Sequence, residues 1–164
     1  MRWVIGMVNL RKMTSAEFEA FAQYSVRAYA QDLAGAYGDD AEEQARKEFS
    51  GMLPDGIHTP GSRLMVIEAG SRPVGVIWYL FEVTDGVSHA FLCDFIIHPD
   101  DRRRGYAAAA LAEMERDALA CGCAECRLYV DADNRAALNL YEKGGYRAFR
   151  QADGGLYMNK TLHI

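Results

Sequence analysis

FLCDFIIHPDDRRRGYAAAA, residues 91–110, is the stretch whose reading decides the fold. An apolar run from Phe91 to Ile97 passes through His98, Pro99 and two aspartates into three consecutive arginines, a glycine and an alanine-rich segment. The run reads as a strand and the alanines as a helix, with Gly105 at the tightest point of the turn between them. Small Ala107 and Ala108 let backbone N–H groups approach a ligand closely, and a helix N-terminus favours an anion. The segment contains neither GxGxxG nor GxxxxGK followed by Ser or Thr, so the dinucleotide and P-loop readings fall away. A pyrophosphate of another kind is implied.

Working outward, Arg63–Ala69, Pro73–Val83 and Ser88–Ile97 are rich in β-branched and aromatic residues, and Gly70/Ser71 and Asp85/Gly86 separate them as turns. They predict an antiparallel meander. Upstream, a strand is expected near residues 3–10. Thr14 or Ser15 then caps a helix that carries Phe18, Phe21, Tyr24 or Ser25 and Ala28 at helical spacing. A second helix is expected over Asp39–Met52, followed by a loop marked by Pro54, Gly56, Pro60 and Gly61. Downstream, Arg104–Cys121 predicts a helix with a buried stripe of Ala107, Leu111, Met114, Ala118 and Cys121, stopped by Gly122. Glu125–Val130 reads as a strand, Asn134–Lys143 as a short helix halted by Gly144 and Gly145, and two strands close the chain near Leu162. The order is β-α-α-β-β-β-α-β-α-β-β, an α/β (α+β) class with a mixed, mostly antiparallel sheet.

At 164 residues, half of them apolar, the chain is expected to form one domain over 1–164. The longest apolar stretches, Val74–Phe81 and Ala107–Ala112, fall far short of the ~20 residues a membrane helix needs. Trp3–Val8 is followed at once by Arg11 and Lys12 with no small-residue cleavage site, which favours an opening strand over a signal core. Asp and Glu outnumber Lys and Arg by 23 to 18, so neither nucleic acid nor anionic lipid is an expected partner. Of four cysteines, Cys121, Cys123 and Cys126 cluster without a secretory signal, which points to the cytoplasm. A zinc site there would need a fourth ligand, and neither a second CxxC nor a nearby His supplies one, so no metal is expected.

RRRGYA matches the (Gln/Arg)xxGx(Gly/Ala) signature, and NRAALNLYEKGGY (residues 134–146) is similar to NxxAxxLYxKxGF. Together, on either side of a predicted strand, they resemble the two conserved blocks of the GNAT superfamily of acyl-CoA-dependent N-acetyltransferases. The likeness extends from about Leu64 to the terminal MNKTL and is weaker before it. It implies a GNAT-like fold with helices flanking the sheet and acetyl-CoA as acyl donor. It further implies that amides of Arg102, Arg103, Arg104, Gly105, Tyr106, Ala107 and Ala108 hold the CoA pyrophosphate. Phe95, Ile96 and Ile97 would pair with the pantetheine arm as a missing strand, and Asn134 would hydrogen-bond that arm.

The same resemblance makes Tyr141 the general acid toward the departing CoA thiolate, touching donor and reaction alike. A phenol can protonate a thiolate without ionising first, since reference pKa values are about 10 and about 8.5. The acceptor is a small or peptide-like primary amine, and its proton must be received; Asp94 is the candidate, with water, His89 or Glu82 as alternatives. Whether Asp94 or Cys93 faces the cleft depends on register and on any bulge. The sequence departs from the family at Cys93, a position often acidic, at Arg103, where Gly is common, and at Ala107, also commonly Gly. Tyr24, Tyr29, Asp32, Tyr37, Asp39, Asp40, Glu42 and Glu43 offer an acidic-aromatic surface for a cationic amine, although such helix faces are usually just solvated. A non-catalytic acyl-CoA sensor of the same fold is the alternative, and longer acyl donors and a homodimer through the C-terminal strands stay open.

Overall fold

The computed structural model describes residues 7–164. Residues 3–6 of the expected opening strand lie outside the described residues; within them the first strand, β1, is Asn9–Lys12. The chain divides into two compact units, one running from Met13 to Leu64 and the other combining the residues up to Lys12 with Met65–Ile164.

The Met13–Leu64 unit is a helical pair, α1 (Ser15–Tyr37) and α2 (Ala41–Met52). Thr14 caps α1 through a reciprocal box: its Oγ1 accepts from the Glu17 N–H at 3.2 Å, and Glu17 Oε1 accepts from the Thr14 N–H at 2.8 Å. Gly38, at φ +53°, ends α1, and a 3-10 turn over Gly38–Asp40 delays the second helix from the expected Asp39 to Ala41. Phe49 joins the helices, its ring 6.4 Å from Phe18 and 6.3 Å from Phe21. The predicted loop after Met52 holds one further 3-10 turn, Gly56–His58. Thr59 Oγ1 locks it by donating to Gly56 O at 2.8 Å and accepting the Asp55 N–H at 3.1 Å.

The larger unit is built on a seven-stranded sheet in the order β1-β2-β3-β4-β5-β7-β6. After β1 come β2 (Ser62–Ala69), β3 (Arg72–Thr84), β4 (Val87–Ile97), β5 (Glu125–Asp131), β6 (Arg147–Ala152) and β7 (Gly155–Thr161). The helix α3 (Tyr106–Ala120) joins β4 to β5, and α4 (Arg135–Lys143) follows β5. The pairs β1–β2, β3–β4, β5–β7 and β6–β7 are antiparallel, whereas β4–β5 is parallel. A parallel pair cannot be closed by a hairpin, which is why α3 lies between these two strands in the chain. The predicted element order and the mixed, mostly antiparallel sheet are what the structure contains.

The α3 stripe needs correction. The buried residues are Ala109, Ala110, Leu111, Met114 and Ala118, while Ala107 is half-buried and Cys121 is exposed beyond the last helical turn. Leu111, Met114 and Ala118 are buried as the spacing predicts; four successive alanines, Ala107–Ala110, give no bulky residue to mark the start of the stripe, which includes Ala109 and Ala110 and ends before Cys121. Cys123 and Cys126 are buried in the apolar core, and no metal-ligating group of three forms among the described residues.

Gly75 fixes the distance between β3 and β4: a Cβ there would lie 2.2 Å from Ile96 O and 3.1 Å from Ile97 Cα, both backbone atoms. Gly75→Ala is expected to destabilise the protein by about 1–3 kcal/mol through overpacking, read as a lower denaturation midpoint. Thr14→Ala is expected to cost about 1 kcal/mol through the lost cap, and Thr14→Ser should restore most of it.

Candidate active site

Strand β4 carries one residue more than β3 can match. Trp78 pairs with Asp94 and Tyr79 with Leu92, which leaves Cys93 unpaired in a bulge. The bulge changes which residues face the core. Ala90 and Leu92 belong to the apolar cluster before it, Phe95 and Ile97 after it, so the inward set moves from even to odd numbers. Regular alternation would have carried Asp94 into that core. With the bulge, Asp94 shares the opposite face with its cross-strand partner Trp78, and Glu82 and His89 stand opposite each other further along the same strands. His89 is fully buried, with Nε2 2.9 Å from Glu82 Oε1 and Nδ1 3.2 Å from Val87 O.

The second feature is where β4 and β5 part. Their pairing runs from His89/Glu125 to Leu92/Leu128 and stops, although β4 continues to Ile97 and β5 to Asp131. From Cys93 onward, β4 keeps β3 on one side and has an open edge on the other. An open edge presents backbone donors and acceptors to an extended ligand. Two of these groups are engaged by side chains: the Phe95 N–H donates to Asp94 Oδ1 at 2.9 Å, and Ile97 O accepts from Arg102 Nε at 3.1 Å. The first of these bonds fixes the Asp94 carboxylate beside the parting.

Beyond Ile97 the chain makes a 3-10 turn over Pro99–Asp101 and enters α3 through two residues with positive φ, Arg103 at +64° and Gly105 at +84°. The first helical bond runs from the Ala109 N–H to Gly105 O at 3.1 Å, so the amides of Tyr106, Ala107 and Ala108 project from the helix end. No side chain caps that end. Projecting amides, the helix dipole and the exposed Arg103 and Arg104 together make a cradle for an anion. Arg102 is spent differently, since its guanidinium pins the loop back to β4.

The turn is held by a pair that sequence reading did not single out. Asp101 is only 6% exposed, accepts a 2.7 Å bond from Arg72 Nη1, and has His98 Nδ1 4.0 Å from its other oxygen. Its own amide donates to His98 O at 2.8 Å, and the His98 amide donates to Val74 O at 2.8 Å. Arg72 stands 29 positions away in the chain, so nothing local announces the contact.

On the other side of the parting, Asn134 caps α4, its Oδ1 accepting from the Ala137 N–H at 3.2 Å. That leaves its Nδ2 for any bond to a ligand. Tyr141, 8% exposed, lies edge-on to Tyr146 with ring centroids 6.0 Å apart. Tyr146 is anchored in turn: its hydroxyl donates to Glu115 Oε2 at 2.9 Å, and Lys160 Nζ donates to Glu115 Oε1 at 2.8 Å. Burial, and then the charge of Asp94, push the Tyr141 phenol up to about 12. Burial, then Glu82 and Asp94, push the Cys93 thiol up to about 12 as well.

The structure thus gathers Asp94, Phe95–Ile97 and the 102–108 loop along one continuous path, and sets Tyr141 within reach of Asp94's charge. The acidic-aromatic residues of the helical pair are exposed. Tyr29 donates to Glu48, and Glu42 pairs with Arg46 at 2.8 Å. Tyr146, Glu115, Lys160, Arg72 and Asp101 escaped the sequence reading, although Tyr146 stands inside the quoted block 134–146.

Residues 20–146 match the model of the Acetyltransferase (GNAT) family. N-acetyltransferase YycN of Bacillus subtilis is 31% identical over 144 residues, covering 85% of this chain and 92% of YycN. Its crystal structure superposes with a TM-score of 0.77 over 89% of this chain and 94% of that one. YdgE, another N-acetyltransferase of the same organism, is 30% identical over 84% of this chain and 90% of its own length. The fold alone is shared with the PaiA N-acetyltransferase of Thermoplasma acidophilum, solved with coenzyme A, at 21% identity, 94% and 98% coverage and a TM-score of 0.68. This chain is a member of the GNAT family and an acetyl-CoA-dependent acetyltransferase.

Proposed function

We propose that the acceptor is the free primary amine of a small molecule or peptide, and that it attacks acetyl-CoA directly while both substrates are bound. The observation that carries this reading is the parting of β4 and β5 next to the anion cradle, with Asp94 and Tyr141 at hand. The amides at the start of α3 hold the CoA pyrophosphate. The open edge of β4 over Phe95–Ile97 takes the pantetheine arm, and Asn134 Nδ2 reaches that arm from the far side. The acetyl group then lies near the bulge.

In the transfer, the amine nitrogen forms a bond to the thioester carbonyl carbon and the C–S bond breaks. The departing thiolate takes a proton from the Tyr141 hydroxyl, and the proton that the ammonium formed at nitrogen releases, by way of Asp94 and water, restores the phenol. A Tyr141 pKa of about 12 means the phenol keeps its proton throughout the working range. Cys93 stands close enough to raise a rival, an acetyl-cysteine intermediate. A thiol pushed up to about 12 has almost no thiolate at neutral pH, and the thiolate is the nucleophile. Direct transfer is the route this electrostatic setting supports.

Tyr141→Phe is expected to lower kcat by roughly 10²–10⁴-fold while leaving the Kd for acetyl-CoA within about twofold of wild type; a Tyr141→Phe enzyme with wild-type kcat removes the acid role. Cys93→Ala is expected to retain most of the activity and to show no burst of acetylated protein, and loss of turnover in that variant would restore the covalent route. The pH profile of kcat should rise as the acceptor amine deprotonates and show no falling limb from Tyr141 below about pH 10, its folded pKa being raised to about 12. Acetyl-CoA at about 100 times its Kd should add roughly 2.7 kcal/mol to the stability of the fold. The gain should shrink in Arg103→Glu/Arg104→Glu. Asp101→Asn, which loosens the turn without touching donor, should raise KM for acetyl-CoA by roughly tenfold or more with a smaller effect on kcat.

A further inference from the structure

We infer that the helical pair carries a binding site of its own, for a small amphipathic anion with an apolar body and a carboxylate. Between α1 and α2 lies a crevice of about 380 Å³, lined only by residues of the Met13–Leu64 unit. That volume falls within the range of small-molecule sites. Its apolar walls come from Phe18 and Val26 on α1 and from Phe49 and Leu53 at the far side. The opening exists because the lining is small where the walls would otherwise meet: Ala22, Ser50 and Gly56. An apolar pit of this kind gains free energy when an apolar group is buried in it.

Charge at the mouth selects the polar end of the ligand. Arg27, Arg46 and Glu42 line the crevice; Arg46 Nη2 and Glu42 Oε1 neutralise each other at 2.8 Å. Arg27 makes no side-chain hydrogen bond or ion pair among the described residues. One guanidinium, planar and always charged, is thus left over beside an apolar wall, and a carboxylate matches its paired N–H donors. The surrounding helices are acidic, yet this pit has the opposite preference. It would reject the cationic amine that the same helices suggest as acceptor.

The experiment titrates the full chain, without CoA, with three probes of one shape: 3-phenylpropionate, 3-phenylpropanol and 3-phenylpropylamine, followed by saturation-transfer and amide-shift NMR. Phenylpropionate is expected to bind at least roughly tenfold more tightly than the amine, with amide shifts confined to α1, α2 and Gly56. Arg27→Glu should weaken it by roughly tenfold or more, the loss of a charged hydrogen bond. Arg27→Lys should keep most of the binding. Ala22→Leu, which fills the pit on an accommodating helix, should abolish binding of all three probes with an unchanged circular-dichroism melt. The inference is overturned if the three probes bind equally, if none binds at millimolar concentration, or if Arg27→Glu leaves the phenylpropionate affinity as it was. None of these readouts uses acetyl-CoA or turnover, so they stand or fall apart from the acetyl-transfer reading.

Discussion

Side chains on a strand alternate between faces with a period of two, and nothing short of an extra residue can break that order. In β4 the extra residue is Cys93, and the reaction proposed for the larger unit depends on it. A regular strand here would bury an aspartate among Ala90, Leu92 and the α3 alanines, at a cost no nearby cation could offset. The bulge turns Asp94 to the opposite face and hands the core to Phe95 and Ile97. The same interruption falls where β4 and β5 cease to pair, so the carboxylate and the open strand edge arise at one place. Bulges commonly sit where a sheet re-aims a side chain.

Around that point, each group proposed for the reaction is held by another that does not touch substrate. Arg72 neutralises the buried Asp101, and the Pro99–Asp101 turn presents the start of α3. Arg102 ties the same loop to Ile97 O. Tyr146 braces Tyr141, and Glu115 with Lys160 braces Tyr146 across α3 and β7. Buried polar groups of this kind are satisfied almost without exception, and here satisfaction also confers direction. The anion cradle is therefore tied to the sheet through the buried Asp101, while the arginines that follow it are exposed.

What the sequence disclosed follows from the range of each interaction. Gly105 and the alanines announce a helix start that can take an anion, because that requirement is local. Thr14 or Ser15 announces a helix cap for the same reason, and the structure chooses Thr14. The order of elements was legible because hydrophobic period and turn residues are also local properties. The bulge at Cys93 was not, since it exists only in the register of β4 against β3, and Cys93 and Asp94 had to be weighed as equals. Arg72 with Asp101, and Tyr146 with Glu115 and Lys160, are long-range contacts whose charged members look like ordinary surface residues when read singly. The buried face of α3 was legible at Leu111, Met114 and Ala118; Ala109 and Ala110 were missed because a run of alanines fits a groove in several orientations, and packing against the sheet chooses among them.

The missing side chain of Gly75 bears on how the open edge of β4 is supported. Backbone meets backbone there, with no methyl group to trim and no rotamer to turn, so β3 and β4 keep one separation and the open edge of β4 is backed by a strand that cannot move away from it. Freedom at the parting therefore lies on the β5 side, where the two strands have already let go of one another.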